Sequence, residues 1–292
     1  MLDPAQLAAL AAIHRQGSFD RAAKELSVTP SAVSQRLKAL EEHLGTRLIR
    51  RGQPCRATEA GQRVIRHHDE IALLEQTLAG ELPGLAAPGA TLRIAVNADS
   101  LSTWVLPALA EVTGVLFDLV IDDQEVSHDW LKRGEVLGAI TSNHGPLQGC
   151  DTERLGALRY RATAAPDFVR RHMPQGATAE ALAAAPAMRF NEKDHLQHLW
   201  AARQTGGAVT RLPCHQIASA NGFVEACLLG LGWAMNPEAL VRGHLASGRL
   251  LELAPDTPLD VVLNWQFARL AAPALAPLTK ALKASAARRL VN

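Results

Sequence analysis

The sequence predicts an α/β fold overall, with an all-α-rich N-terminal segment, a long helix after it, and a two-lobed α/β region in the remaining residues. Two patterns support this prediction. Apolar residues recur at helical spacing up to residue 82, whereas short strand-like runs alternate with helical segments from residue 91 onward. The chain has 292 residues, of which 48% are hydrophobic, so it is long enough for two or three units with their own cores.

The N-terminal segment contains a predicted helical hairpin at about residues 18–38, preceded by a helix over residues 3–16. Ser18 can cap a helix that runs to about Leu26, and Thr29 with Pro30 can begin the next helix. That second helix has one apolar face, formed by Ala32, Val33, Leu37, Leu40 and Leu44. The pattern matches a helix-turn-helix, although an ordinary helical hairpin with a solvated outer face would show the same periodicity.

The residues after the hairpin favour DNA binding. Arg47–Thr58 contains four arginines around a turn at Gly52–Pro54, which is typical of the basic wing of a winged helix-turn-helix. Residues 1–66 contain 11 Lys or Arg against 6 Asp or Glu, a net +5, whereas residues 67–292 contain 19 against 23, a net −4. A basic head on an acidic body indicates a polyanionic partner for the head.

The candidate DNA-binding residues lie on the second helix of the hairpin and on the wing. Three polar side chains in the first turns of the helix are expected to approach base edges, namely Ser31, Ser34 and Gln35. The basic side chains are expected to contact phosphates, namely Arg36, Lys38, Arg50, Arg51 and Arg56. Entry of a wing arginine into the minor groove is the alternative for that group.

A long helix without proline is predicted over residues 58–82. Its apolar residues recur every three or four positions and form a seam, comprising Ile71, Leu74, Leu78 and Leu82. Packing within the same chain is possible, but a helix that leaves a small head has little local surface to cover. We therefore expect this linker helix to pair two copies of the chain, and we expect a hinge at Pro83–Gly89.

Strands and helices alternate in the rest of the chain, which indicates βαβ units and a parallel sheet. The first predicted strands are TLRIAVN, LFDLVID and VLGAIT, and AMRF is predicted later. Helices are predicted near residues 100–109, 127–133, 166–172, 178–184 and 195–204. Two such lobes joined by two crossings form the fold of periplasmic binding proteins, with lobe I at about 90–162 and 266–292 and lobe II at about 163–265.

Ligands of two-lobed α/β proteins sit between the lobes, at strand C-termini and helix N-termini. The candidate ligand-binding residues at such positions are Asn97, Ser100, Thr103, Asp123, Thr141, Ser142, Asn221 and Phe223. Residues 97–100 can hold a carboxylate, but a plain helix cap would have the same residues. Asp122, Asp123 and Glu125 follow the second strand at the end that faces the cleft, although a solvated acidic loop accounts for them equally well. If the ligand carries a cationic side chain, Asp123 is the first choice to pair with it. Trp104 and Trp265 either wall the pocket or fill the core, and we expect at least one of them in the core.

Other chemistries find little support in the sequence. His67 with His68, and His195 with His198, lack a third ligand at a metal-binding spacing, so we expect surface histidines and no metal. The four cysteines form no CxxC pair, so reduced thiols are expected.

No nucleophile or phosphate-binding motif appears in its required context, so an enzyme is not expected. The chain lacks a signal-peptide pattern and a membrane-spanning apolar run, which predicts a cytoplasmic protein without a membrane partner.

Two stretches resemble a known family. The run AVSQRLKALEEHLGTRLIRR, followed by ATEAG, resembles the signature of LysR-type transcriptional regulators. The stretch LRIAVNADSLSTWVLPAL resembles the ArgP/LysG branch of that family, which regulates the export of basic amino acids, and LKRGEVLGAI and PCHQIASANGFVEA support this assignment. The resemblance covers the whole chain.

The resemblance implies a domain for each task. It implies a winged helix-turn-helix DNA-binding domain over residues 1–58, a linker or dimerisation helix with a hinge over 59–89, and an effector-binding domain over 90–292. It implies double-stranded DNA, RNA polymerase and a small effector, lysine or arginine, as partners, with no cofactor. It also implies a homodimer paired through the linker helix, and the commonest assembly in the family is a tetramer.

Alternatives remain open at this point. The chain can be a LysR-type regulator of a different small effector, a two-lobed solute-binding protein without DNA function, or an enzyme built on the same kind of cleft. Salt-dependent DNA binding distinguishes the first from the second, and a panel of amino acids identifies the effector.

Overall fold

The computed structural model describes residues 2–81, 90–121, 127–133, 135–142, 145 and 147–291. The predicted hinge Pro83–Gly89 lies outside the described residues, as do Leu82, Asp122, Asp123, Glu125 and His144. The N-terminal elements are α1 (Pro4–Gln16), α2 (Phe19–Glu25), α3 (Pro30–Leu44), β1 (Ile49–Arg50), β2 (Arg56–Ala57) and the linker helix α4 (Glu59–Glu81).

Two lobes follow the linker helix. The first lobe begins with β3 (Ala90–Val96), α5 (Ala98–Ser100), a π-helical turn (Leu101–Val105), α6 (Leu106–Ala110), β4 (Val115–Ile121), α7 (Ser127–Arg133) and β5 (Gly138–Thr141). The chain then crosses on β6 (Cys150–Ala164) and continues with α8 (Pro166–His172), α9 (Ala179–Ala184), β7 (Ala187–Arg189), α10 (Leu196–Thr205), β8 (Cys214–Gln216), α11 (Ala220–Leu228), β9 (Ala234–Pro237), α12 (Glu238–Ala246) and β10 (Leu251–Glu252). It returns on β11 (Leu259–Ala268) and ends with a 3₁₀ turn (Arg269–Ala271) and α13 (Ala272–Arg289).

The N-terminal head packs around the apolar face predicted for the second hairpin helix. Val33, Leu37 and Leu40 are buried in a separate head core with α1 and the wing. Leu44 is 38% exposed, so its predicted place on the buried face is wrong, because α3 ends there and the chain turns away at Gly45. The Thr29 hydroxyl caps α3 by accepting the Ala32 N–H at 3.2 Å.

Ser18 stands at the N-cap of α2, but its hydroxyl makes no capping hydrogen bond, which corrects the capping role predicted for it. Its backbone carbonyl still accepts the Ala22 N–H at 3.0 Å, so the helix starts at the predicted place through the main chain.

The linker helix runs over almost the predicted length. Ile71 is half-buried and packs against the core of its own head, which is the alternative of packing within the same chain. Leu74 and Leu78 are exposed by 52% and 48%, so two turns of the seam stand free on the surface of this chain.

The main sheet is mixed, which corrects the predicted parallel sheet. Its strands run in the order β10-β6-β11-β5-β3-β4, and β9 also pairs with β6. The contacts of β3 with β4 and β5 are parallel, whereas those of β6 and β11 are antiparallel. The antiparallel pairing follows from the topology, because the chain leaves the first lobe on β6 and comes back on β11 in the opposite direction.

A large core fills both lobes. Trp104 and Trp265 are both completely buried in it, so they belong to the core, as expected for at least one of them. The Trp265 indole N–H donates to the Thr279 hydroxyl at 3.0 Å and so keeps its polar atom satisfied. No helix of the described residues combines the length and apolar character that crossing a membrane requires.

Candidate functional site

The candidate DNA-binding residues form a continuous basic and polar face of the head. Arg36 is half-buried, and the other seven side chains are exposed, namely Ser31, Ser34, Gln35, Lys38, Arg50, Arg51 and Arg56. Ser34, Gln35, Lys38 and Arg51 line one groove between α3 and the wing, with a volume of about 570 Å³. Ser31, Arg36, Arg50 and Arg56 lie outside the lining of that groove. The arrangement presents donors and acceptors from α3 next to cations from the wing, which suits base edges flanked by phosphates.

Glu41 attaches the wing to α3. One of its carboxylate oxygens accepts the backbone N–H of Leu48 at 2.8 Å and that of Ile49 at 3.3 Å. The other oxygen lies 3.5 Å from a guanidinium nitrogen of Arg47. The side chain of Glu41 is only 12% exposed, so these contacts are partly shielded from water. The start of the wing is therefore held against the helix that carries Gln35.

The wing is also attached to α1. The Cys55 N–H donates to the Gly17 carbonyl at 2.9 Å, and the Ala57 N–H donates to Nδ1 of His14 at 3.3 Å. Gly17 has φ +66°, and a Cβ there would lie 2.7 Å from the Cβ of Pro54, so this close approach requires glycine. Burial, followed by the positive charges of Arg93 and Arg56, lowers the pKa of His14, which favours the neutral ring that accepts this bond.

A second cleft, with a volume of about 860 Å³, separates the wing from the body. The wing lines it with Arg50, Arg51 and Arg56, and the first lobe lines it with Arg93, Asp118, Trp130 and Glu135. Asp69 of α4 also lines this cleft, and burial raises its pKa to about 6. Carboxylates of the body thus lie in the same cleft as the arginines of the DNA-binding face.

The candidate effector site is a small cavity between the two lobes, with a volume of about 30 Å³. The first lobe supplies residues from the end of β3 and the start of α5, namely Asn97, Ala98 and Asp99. The other lining residues come from β9, the loop after β7, and the starts of α10 and α11, namely Phe190, Asp194, Leu196, Gln197, Ala220, Phe223 and Met235. Strand C-termini and helix N-termini therefore meet at this point, as the fold class predicts.

Two carboxylates lie in this cavity. Asp99 accepts the hydroxyl of Tyr160 at 2.7 Å, and Tyr160 is a fully buried residue of the crossing strand β6. Asp194 is 6% exposed and accepts the Phe190 N–H at 2.9 Å and the Leu196 N–H at 3.1 Å. An ionised carboxylate has about four acceptor positions, so Asp194 can accept a further donor besides these two N–H groups. The cavity can therefore accept a cationic group from a ligand.

One neutral polar side chain that lines the cavity is buried without a hydrogen-bond partner among the described residues. It is Gln197, which is 1% exposed and whose amide is unpaired at both Oε1 and Nε2. Buried polar atoms are rarely left unpaired in native proteins, so this amide marks a place where a ligand can bond. The hydroxyl of Ser100 is also buried and unpaired, but Ser100 does not line the cavity.

The other predicted effector residues are spread around the cavity. Asn97 and Phe223 line it, whereas the Thr103 hydroxyl donates to the Asp99 carbonyl at 2.6 Å one turn away. Thr141 is buried at the end of β5, and Ser142 follows it half-buried; neither lines the cavity. Asn221 is exposed next to the lining residue Ala220. Asp123 lies outside the described residues.

The candidate site list from the sequence omitted Asp99, Asp194 and Gln197. Asp99 stood within the stretch considered for the helix start, but it was considered there only as a capping residue. Asp194 and Gln197 lie in NEKDHLQHLW, a stretch whose two histidines are predicted to be surface residues without a metal. Asp194 directly precedes the helix predicted near residues 195–204, and an acid at a helix start in the second lobe is the sequence feature that could have indicated a residue of the cleft.

Metal binding has no support in the described part of the chain, where no group of three or more potential ligands comes together. His195 is exposed, and His198 is half-buried with a pKa lowered by burial and by His195. The four cysteines are free, and burial raises the pKa of Cys227 to about 12, which keeps that thiol protonated.

Two family models match the chain. Residues 4–62 match the bacterial regulatory helix-turn-helix protein model of the lysR family, and residues 86–287 match the LysR substrate binding domain. The first match covers the basic face and the wing, and the second covers both lobes of the cleft.

Characterised relatives match over the full length. The transcriptional regulator LysG of Mycobacterium bovis is 43% identical over 286 residues, which cover 98% of this chain and 94% of the relative. The transcriptional regulator ArgP of Pseudomonas aeruginosa is 43% identical over 299 residues, which cover 100% of this chain and 98% of the relative.

Solved structures are similar over the same length. The crystal structure of ArgP from Mycobacterium tuberculosis has a TM-score of 0.83 at 41% identity and covers all of both chains. Full-length LysG from Corynebacterium glutamicum, with the bound effector Arg, has a TM-score of 0.72 at 38% identity and covers 99% of this chain and 100% of that one.

Proposed function

This chain belongs to the LysR family of bacterial transcriptional regulators, and we propose that it binds arginine or lysine and controls the gene for a basic amino-acid exporter. Membership confirms the resemblance to the ArgP/LysG branch and makes the chain a DNA-binding regulator rather than an enzyme. It also excludes a solute-binding protein without DNA function. The observation that carries the effector proposal is the likeness, over the full length, to LysG with bound Arg.

The chemistry of the cavity supports a basic effector. A lysine or arginine side chain in a cleft needs negative partners, because burial of an unpaired cation is costly. Asp99 and Asp194 supply two carboxylates from opposite lobes. The buried hydroxyl of Ser100 and the helix start beside Asn97 supply donors for other polar groups of the ligand. We also propose that Asp123 and the other effector residues predicted from the sequence contribute to the site.

We propose that effector binding changes the angle between the lobes, because the cavity lies between them and is lined by residues from both. The strands β6 and β11 are the two connections between the lobes, so a change of lobe angle passes through them. The effector regulates transcription only if it binds one lobe arrangement more tightly than another.

We propose that the residues of the head contact DNA in the two roles that the sequence predicted, base reading and phosphate binding. Ser31, Ser34 and Gln35 read base edges from α3, and the five basic residues contact phosphates, namely Arg36, Lys38, Arg50, Arg51 and Arg56. The exposure of all but Arg36 supports this assignment. We further propose the domain boundaries 1–58, 59–89 and 90–292.

The exposed leucines of the linker helix support a homodimer. Leu74 and Leu78 stand on the surface of α4 at a spacing that suits a partner helix. A dimer presents two heads to DNA, and a tetramer would present four. Contact with RNA polymerase and action in the cytoplasm, where bacterial DNA lies, complete the proposal.

Isothermal titration of the full-length chain with arginine, lysine and a panel of other amino acids tests the effector. Binding of arginine or lysine at micromolar concentrations, with neutral amino acids of similar size at least ten times weaker, is the expected result. Exclusive binding of an acidic or neutral amino acid would overturn the basic effector and support a LysR-type regulator of another ligand.

A further inference from the structure

Gln197 is a buried amide in a position that suits an apolar residue better unless a ligand pairs it. It is 1% exposed, lies in the first turn of α10 and lines the cavity beside Asp194. Neither Oε1 nor Nε2 has a hydrogen-bond partner among the described residues. A leucine of similar size would avoid the cost of burying an unpaired amide, so stability alone does not explain a glutamine here.

The amide restricts the chemistry of the group that can satisfy it. A carboxamide offers one acceptor oxygen and a donor NH₂ group side by side. A guanidinium or an ammonium group only donates, so it would leave Nε2 unpaired, and a carboxylate only accepts, so it would leave Oε1 unpaired. An α-amino acid carries both kinds of group on one carbon, the donating ammonium and the accepting carboxylate.

We infer that Gln197 binds the α-amino-acid head group of the effector and so selects free amino acids over amines that lack the carboxylate. This inference rests on the proposed function, since it names the part of the effector that the second lobe recognises. The cavity also contains the carboxylates of Asp99 and Asp194, to which the proposed function assigns the cationic end of the ligand. Recognition of both ends explains how one small cavity can distinguish a basic amino acid from its decarboxylated product.

The test compares two ligands on three proteins. L-arginine and agmatine, which is arginine without its carboxylate, are titrated calorimetrically into the full-length wild type, Gln197→Leu and Gln204→Leu. Gln204 is the matched control, because it is half-buried two turns further along the same helix and does not line the cavity. Thermal unfolding of each ligand-free protein is measured in parallel.

The wild type is expected to bind arginine at least tenfold more tightly than agmatine. Gln197→Leu is expected to weaken arginine binding by about tenfold to a hundredfold, the range for hydrogen bonds to charged groups, and to weaken agmatine binding less, because agmatine keeps the ammonium group but has no carboxylate for Nε2. Its ligand-free midpoint should stay equal or rise, since an unpaired buried amide is removed. A structural role would instead lower the midpoint. Gln204→Leu should bind both ligands as the wild type does.

Each other outcome identifies which claim fails. If Gln197→Leu binds arginine as tightly as the wild type, or loses affinity for both ligands equally, the head-group assignment is overturned while the basic effector stands. Equal binding of agmatine and arginine by the wild type overturns the assignment as well. If the wild type binds neither arginine nor lysine, the proposed effector itself is wrong.

Discussion

A carboxylate oxygen of Glu41 lies 2.8 Å from the backbone nitrogen of Leu48, so an acid on α3 directly holds the start of the wing. The same oxygen accepts the next backbone N–H along the chain, at 3.3 Å. Glu41, which also lines the groove between α3 and the wing, thus fixes the start of the wing relative to the helix that carries Gln35.

Replacement of Glu41 should therefore affect both stability and DNA binding. We expect Glu41→Ala to lower the free energy of unfolding by about 1–3 kcal/mol, because it leaves two partly buried N–H groups unpaired. Glu41→Gln should cost less, since its amide oxygen can still accept. Glu42→Ala is the control, because that side chain is 66% exposed and its removal should change stability by less than about 0.5 kcal/mol. Equal effects of the two alanine variants on unfolding and on operator affinity would contradict the role of Glu41.

Gln35 and Arg51 should separate sequence selectivity from affinity. Gln35→Ala is expected to relax the base preference at one operator position by about 1–3 kcal/mol, since it removes a contact to a base edge. Arg51→Ala should weaken binding to all sequences and reduce the salt slope by about one. Binding titrations at several salt concentrations measure both, with the exposed Arg203→Ala of α10 as the control. Unchanged selectivity of Gln35→Ala would remove this residue from the base-reading set.

Acidification should lower the free energy of unfolding of the N-terminal head through protonation of His14. Burial lowers the pKa of His14 in the folded state below the unfolded value of 6.5. The stabilisation that the neutral ring gives to the folded state is therefore fully present above pH 6.5 and is lost as the pH falls through the folded pKa. Protonation removes the acceptor of the Ala57 N–H, which is worth about 0.5–1.5 kcal/mol. Unfolding free energies at pH 7.5 and 5 should therefore differ less for His14→Gln than for the wild type. The exposed His215→Gln should leave the difference unchanged.

Asp69 should have the opposite pH dependence. Burial raises its pKa from 3.8 to about 6, so the folded state holds an extra proton between these values and its stability falls as the pH rises through that window. We expect Asp69→Asn to be more stable than the wild type at pH 7.5, by on the order of 1 kcal/mol for this half-buried group, and to lose that advantage near pH 4. Denaturant unfolding measures this difference. Glu75→Gln, on the exposed side of α4, should show no such advantage.

Tyr160 should contribute to effector binding through Asp99. It is the only tyrosine of the chain, and Tyr160→Phe removes just the hydroxyl that donates to Asp99 at 2.7 Å. A less well positioned carboxylate should bind arginine about tenfold more weakly. Calorimetric titration tests this, and the thermal midpoint distinguishes it from unfolding. An unchanged affinity would exclude a positioning role for Tyr160.

Features that depend on neighbouring residues in the chain were predicted from the sequence. The apolar positions Val33, Leu37 and Leu40 gave the correct buried face of α3, because helical periodicity places them together without help from the rest of the fold. The strand β6 was not predicted, since CDTERLGALRYRATA alternates poorly and its pairing with β9 and β11 becomes apparent only in three dimensions. Leu44 fits the same periodicity but is exposed, because the helix ends there.

The sequence by itself determined that the chain has a basic helix-turn-helix with a wing, a long linker helix and a two-lobed α/β region, because each is encoded by periodicity, charge or a local motif. Only the tertiary structure decided which groups meet. Glu41 reaches the wing, Asp99 meets Tyr160 of a crossing strand, and Asp194 and Gln197 close the cleft from the second lobe. Residues as far apart as 99 and 194 line one cavity because two lobes are joined by strands that run between them, and no local pattern records that approach.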